Sequence, residues 1–202
     1  MPSTKLLTEF LGTFFLVTVV SFTGNPIAIG AVLMALVYSG GHISGAHFNP
    51  AVTLAVFLKK KISSTEAAQY VFAQFLGAAC AVEMFFLTQH TFFLPSPGLK
   101  VSWLVAFLIE TLFTFLLVRT VLATAVESRA KNNQYFGLAI GAALLAGAFA
   151  GGPLSGGVYN PALGLAAIFL DLTHLSEHVP LIVLYLAGPL FGGALAAKVP
   201  EK

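Results

Sequence analysis

The sequence predicts an all-α membrane protein: six transmembrane helices plus two re-entrant half-helices, arranged as an inverted repeat. Three observations predict this. The chain of 202 residues is 57% hydrophobic and only 9% charged, with a mean hydropathy of +0.90, whereas soluble domains carry about 25% charged residues. The tripeptide Asn-Pro-Ala occurs twice, as Asn49-Pro50-Ala51 in GAHFNPAVTLAVFL and as Asn160-Pro161-Ala162 in GGVYNPALGLAAIFL. Each opens an apolar run, 51–58 and 162–170, that is too short for the roughly 20 residues a bilayer crossing requires. Finally, segments recur. EFLGTFFLV from Glu9 matches ETLFTFLLV from Glu110, and AQFLGAACA from Ala73 resembles AGPLFGGALAA from Ala187.

The first span is expected over 6–22, a retained helix and not a cleaved leader, because Glu9 interrupts the apolar run and no small-residue cleavage site is evident. Gly24-Asn25-Pro26 makes a turn, and a second, short span follows over 26–41. The stretch GGHISGAHFNPA is polar and glycine-bearing. Irregular backbone at membrane depth survives only where it packs in protein or lines a cavity, so this stretch should line one. The first half-helix ends at Lys59-Lys60-Lys61, and a third span over 65–87 starts from the capping sequence Ser63-Ser64-Thr65-Glu66. A proline-bearing connector, 88–100, leads to a fourth span over 101–123. The charged connector ESRAKNNQ precedes a fifth span over 135–150, and the loop DLTHLSEH precedes a sixth over 179–197.

Positive charge sets the orientation. Lys5, Lys59, Lys60, Lys61, Arg129, Lys131, Lys198 and Lys202 fall on one face and only Lys100 on the other, so both termini are expected to be cytoplasmic. The halves 1–98 and 99–202 carry three spans each. An odd number inverts the second copy relative to the first, and the two half-helices then enter from opposite faces and meet near the midplane.

Asn is a preferred N-cap, and Pro at the first helical position loses no hydrogen bond. Two opposed helix N-termini place about half a positive charge each where they meet, and the Asn49 and Asn160 amides there can donate to an acceptor oxygen. Such a centre admits neutral acceptors and repels cations. Glu9 and Glu110 lie inside apolar spans, where a carboxylate needs a partner. Glu83 and Arg119 have no repeat mates and fall towards opposite ends of their spans, so they are not expected to pair with each other, and Arg119 is expected to snorkel. Gly137 with Gly141 and Gly188 with Gly192 are read as helix-packing sites. The single cysteine, Cys80, excludes an intrachain disulfide, and His90, His174 and His178, placed in outer loops, have no metal-ligand spacing. A net charge of +2 gives no reason to expect nucleic acid as a partner.

TEFLGTFFLV, GGHISGAHFNPAVTLAVF, AQFLGAACA, the Glu110 segment, GGVYNPA and AGPLFGGALAA together resemble the aquaporin, or major intrinsic protein, family over nearly the whole chain. The resemblance implies a homotetramer in the bilayer with one pore per subunit, passing water and small neutral solutes without a cofactor or catalysis. The compact length and the lysine-rich inner face make a plasma membrane the expected location. With repeat symmetry, it implies that Glu9 and Glu110 brace the backbone leading into each half-helix, with His47 as the partner of Glu9. It gives His42 a place in the cytoplasmic vestibule, lining or gating it, with a packed, hydrogen-bonded histidine as the alternative.

One position departs from the family. An Arg usually follows the second Asn-Pro-Ala; here Leu163 does, and the last arginine in the chain is Arg129. The other selectivity-filter positions align with Ile29, Ala148 (or its neighbour Gly147) and Gly157, which makes an apolar outer constriction without fixed charge. Two consequences are open. The pore either admits small uncharged solutes such as glycerol, urea or ammonia, or it is closed by bulky neighbours, Tyr159 and Phe149 being the candidates. A structural membrane protein with a vestigial pore and a proton-coupled transporter are the competing classes.

Overall fold

The computed structural model describes residues 2–130, 132–170 and 175–201. They form α1 (Pro2–Thr23), α2 (Pro26–Ser44), α3 (Pro50–Leu58), α4 (Ser64–Gln89), α5 (Trp103–Val121), α6 (Phe136–Ser155), α7 (Pro161–Leu170) and α8 (Leu175–Lys198), with no strand among the described residues. Six helices are long and apolar enough to cross a membrane; α3 and α7 are the two short ones.

Two spans run further than the sequence predicts, for the same reason. The last turn of α2 is His42-Ile43-Ser44, which reads as loop because it is polar, yet the helix stops only at Gly45, whose φ of 89° closes it with a bond from its N–H to Gly41 O. Likewise α6 continues through Pro153 to Ser155 and is closed by Gly156 at φ 94°, bonded to Gly152 O. Only glycine adopts this left-handed cap without a side-chain penalty. α8 begins before the expected 179, and buried His178 belongs to it and not to a loop. His174, also predicted in that loop, lies outside the described residues.

Helix α1 packs along α4, α5 along α8, and α2 along α6. Lipid supplies no hydrophobic drive for helix association, so close backbone approach has to do so. A Cβ on Gly77 would lie 2.3 Å from Phe10 O, and one on Gly192 2.4 Å from Thr111 O, so the α1–α4 and α5–α8 crossings use glycines at matching places. At the α2–α6 crossing Gly30 and Gly141 face each other, and a Cβ on either would meet the carbonyl of the other within 2.8 Å.

The expectation for Arg119 is corrected. The α5 helix leaves α geometry at Leu122–Val126, a π-turn in which Glu127 N–H reaches back to Leu122 O. The backbone then turns extended at Glu127, and its fully buried carboxylate accepts from the two terminal guanidinium nitrogens of Arg119, Nη1 and Nη2. Eight residues of straight helix would hold these groups about 12 Å apart. The π-turn and the turn at Glu127 bring them together, and neither is readable from hydropathy. Glu83, by contrast, is exposed on α4.

Candidate functional site

The site grows from the N-termini of α3 and α7. Asn49 is extended at φ −158° and ψ 123°, and its Oδ1 accepts from Ala51 N at 2.8 Å, capping the helix that Pro50 begins. Asn160 Oδ1 accepts from Ala162 N at 3.0 Å in the same way. The amide nitrogens then cross between the halves. Asn49 Nδ2 donates to Tyr159 O at 2.8 Å and Asn160 Nδ2 to Phe48 O at 2.9 Å. An amide nitrogen carries two donors, so each Asn spends one on the opposite half and keeps one. The half-helices are thus joined head to head by a reciprocal pair of bonds.

The backbone entering each cap is strained at corresponding places. Ala46 and Phe48 both have φ 52°, and Gly157 and Tyr159 have φ 66° and 46°. For non-glycine residues such dihedrals cost about 1–3 kcal/mol each and persist only where the surroundings hold them. Two buried carboxylates do so. Glu9 Oε1 accepts from Ser44 Oγ at 2.6 Å and His47 N at 3.0 Å; its Oε2 accepts from Phe48 N at 2.7 Å and Gln74 Nε2 at 2.8 Å. Glu110 Oε1 accepts from Ser155 Oγ at 2.7 Å and Val158 N at 3.0 Å, and Oε2 from Tyr159 N at 2.7 Å. Hydroxyls of Tyr70 and Tyr185 donate to Ser44 O and Ser155 O, each at 2.8 Å.

His47 meets Glu9 through its peptide N–H and not through its ring, whose Nδ1 lies 3.1 Å from Thr53 Oγ1. This explains why Val158 can occupy the matching position: the carboxylate needs a backbone donor there, not a particular side chain. Sequence reading misses Ser44, Ser155, Tyr70, Tyr185 and Gln74. The serines do leave a signal, since Ser-Gly precedes both Asn-Pro-Ala elements at the same distance. Gln74 has none, because Pro189 stands at its place in the second segment.

Past the caps runs a narrow cavity of about 30 Å³, bordered by Asn49, Asn160, Ile29, Leu144, Gly157 and Leu163. A single buried water needs about 10–15 Å³ by the same measure, so the space suits about two waters. Outward of it opens a cavity of about 530 Å³, bordered by Ile29, Ala148, Phe149, Gly157 and the connector residues Phe93 and Pro95. The four aligned filter positions therefore stand on two levels. Ile29 and Gly157 border both cavities, Ala148 only the outer one and Leu163 only the inner one.

Tyr159 borders the inner cavity with its hydroxyl fixed to Gly147 O at 2.9 Å, and Phe149 is half-exposed on the outer wall. His42 is exposed in the last turn of α2 and does not border the inner cavity. Among the described residues no three His, Cys, Asp or Glu side chains are grouped to hold a metal.

The family described as Major intrinsic protein matches residues 2–199. The chain is similar to Nodulin-26 of Glycine max, 34% identical over 96% of this chain and 76% of that protein. It is also similar to glycerol uptake facilitator protein-like 6 of Lactiplantibacillus plantarum, 35% identical over 96% of this chain and 94% of that one. Among solved structures, the aquaglyceroporin from Plasmodium falciparum superposes with a TM-score of 0.83, covering 98% of this chain and 95% of the other at 22% identity, a likeness of fold.

Proposed function

The chain belongs to the major intrinsic protein family, and from that membership we propose that it is a passive, multi-pass membrane channel for water and small uncharged solutes such as glycerol, urea or ammonia. The observation that carries this reading is the head-to-head joining of two half-helices through Asn49 and Asn160. Each N-terminus contributes about half a positive charge, and each Asn keeps an N–H for an acceptor oxygen in transit. A neutral solute exchanges water hydrogen bonds for these donors; a cation loses hydration and meets positive potential. Glu9 and Glu110 hold the caps in place, and because the donors around them are already bonded we assign them bracing and not proton relay. No step requires a cofactor or a covalent intermediate.

We read 1–98 and 99–202 as inverted copies, the lysine-rich face as cytoplasmic with both termini on it, and the assembly as a homotetramer in a plasma membrane. Selection falls on two levels, first Ile29, Ala148 and Gly157, then Leu163 beside the Asn pair. With leucine in place of arginine, no fixed cation narrows the inner level.

A second reading, a passage that stays shut, draws on the inner volume of about 30 Å³. Reconstituted protein separates the two by stopped-flow light scattering under sorbitol, glycerol and urea gradients. Water flux well above empty liposomes, with re-swelling under glycerol or urea, is expected; flux equal to empty liposomes removes the channel assignment. Leu163→Arg in the same assay should lower glycerol flux more than about tenfold, an added barrier of about 1.4 kcal/mol, with a much smaller change in water flux. Equal losses for both would show that Leu163 does not set solute size.

A further inference from the structure

On the outer side of the half-helices lies a groove that the channel reading leaves unused. Helices α4 and α8, packed chiefly on α1 and α5, also flank α3 and α7, and the opening there has a volume of about 600 Å³. Its floor carries Pro50, Leu54 and Phe57 of α3 and Pro161 of α7; Phe72 of α4 and Leu190 of α8 stand on its walls. Thr53 is the only polar side chain bordering it among the described residues, and its hydroxyl is already engaged with Asn49 O and Gln74 Nε2.

Depth and charge together identify the occupant. The groove follows the whole of α3, nine residues that rise about 13 Å, and continues past the meeting point over Pro161, Ala162 and Leu165 at the start of α7. Its stretch along α3 alone is close to half of a hydrocarbon core about 30 Å thick, the depth of one leaflet. At its mouth the chain folds back in a tight turn, with Lys60 N–H bonded to Phe57 O and Lys61 N–H to Val56 O, which sets two exposed lysines one turn beyond the groove-lining Phe57. Lys59 is committed to Val199 O, and Glu66, the next carboxylate along the chain, is paired with Lys5 and so does not neutralise them. We propose that this groove binds an anionic phospholipid, one acyl chain lying against the backs of α3 and α7 and its headgroup phosphate between Lys60 and Lys61.

The full-length protein, purified in detergent, is irradiated with phosphatidylglycerol carrying a diazirine in one acyl chain, and the labelled peptides are mapped. Adducts are expected in 54–57 of α3 and 67–75 of α4. Unlabelled phosphatidylglycerol should compete at concentrations about 25-fold below those of phosphatidylcholine, roughly fivefold for each lysine. Lys60→Gln with Lys61→Gln should abolish that preference, whereas Lys60→Arg with Lys61→Arg should keep it. Ala68→Trp, which fills the groove and leaves both lysines, should remove the groove adducts. Adducts spread evenly over the lipid-facing sides of α1 and α5, retention of groove adducts in Ala68→Trp, or equal competition by phosphatidylcholine would each overturn the assignment.

Discussion

Glu9→Ala and Glu110→Ala are expected to destabilise the fold by on the order of 5 kcal/mol, enough to abolish a monodisperse peak in fluorescence size-exclusion after mild heating. Glu110 is the acceptor for Ser155 Oγ, Val158 N and Tyr159 N, and Glu9 for Ser44 Oγ, His47 N, Phe48 N and Gln74 Nε2. Each buried donor left without a partner costs about 1–3 kcal/mol. The strained dihedrals at Phe48 and Tyr159 lose their restraint as well. Glu9→Ala should be the worse of the two, because it orphans four donors and not three. Glu9→Gln and Glu110→Gln keep one acceptor oxygen and should fall between wild type and alanine. Val158→Ala, which keeps its peptide N–H, should cost only what its two buried methyl groups are worth, about 1–2 kcal/mol. Alanine variants melting within a few degrees of wild type would remove the carboxylates from the bracing role.

The contrast between what hydropathy reveals and what it hides follows from these bonds. Span number was legible because six apolar runs are long enough to cross, and the half-helices were legible because Asn-Pro is a local start signal. The ends of α2 and α6 were not, since Ser44 and Ser155 are polar for a tertiary reason, the carboxylate they serve. Arg119 looked set to snorkel because its partner arrives through a π-turn that no residue pattern marks. The positions that align with the family's filter could be found in sequence, but which cavity each one borders depends on the folded backbone, which composition does not encode.

On the proposed function the caps also set where ions are stopped, and Asn160→Asp tests that directly. The substitution keeps an oxygen for Ala162 N but loses the donor to Phe48 O, and it turns a carboxylate towards that carbonyl. It also places a full negative charge where two N-termini supply about half a positive charge each, so the midplane potential falls from about +1 charge towards zero. A unit charge at about 4 Å is worth about 4 kcal/mol at an effective dielectric constant near 20. A cation barrier lowered by even three-quarters of that raises leak by about two orders of magnitude. Liposomes loaded with a pH-sensitive dye should therefore show that increase in proton or cation leak for Asn160→Asp. Asn49→Asp should behave alike, because its amide makes the reciprocal bond to Tyr159 O. Asn160→Ala removes the donor without adding charge and should leave leak close to wild type. If Asn160→Ala leaks as much as Asn160→Asp, loss of the bond between the halves is the cause, and the barrier is structural; if neither leaks, it lies away from the midplane, at the apolar levels around Leu163 and Ile29.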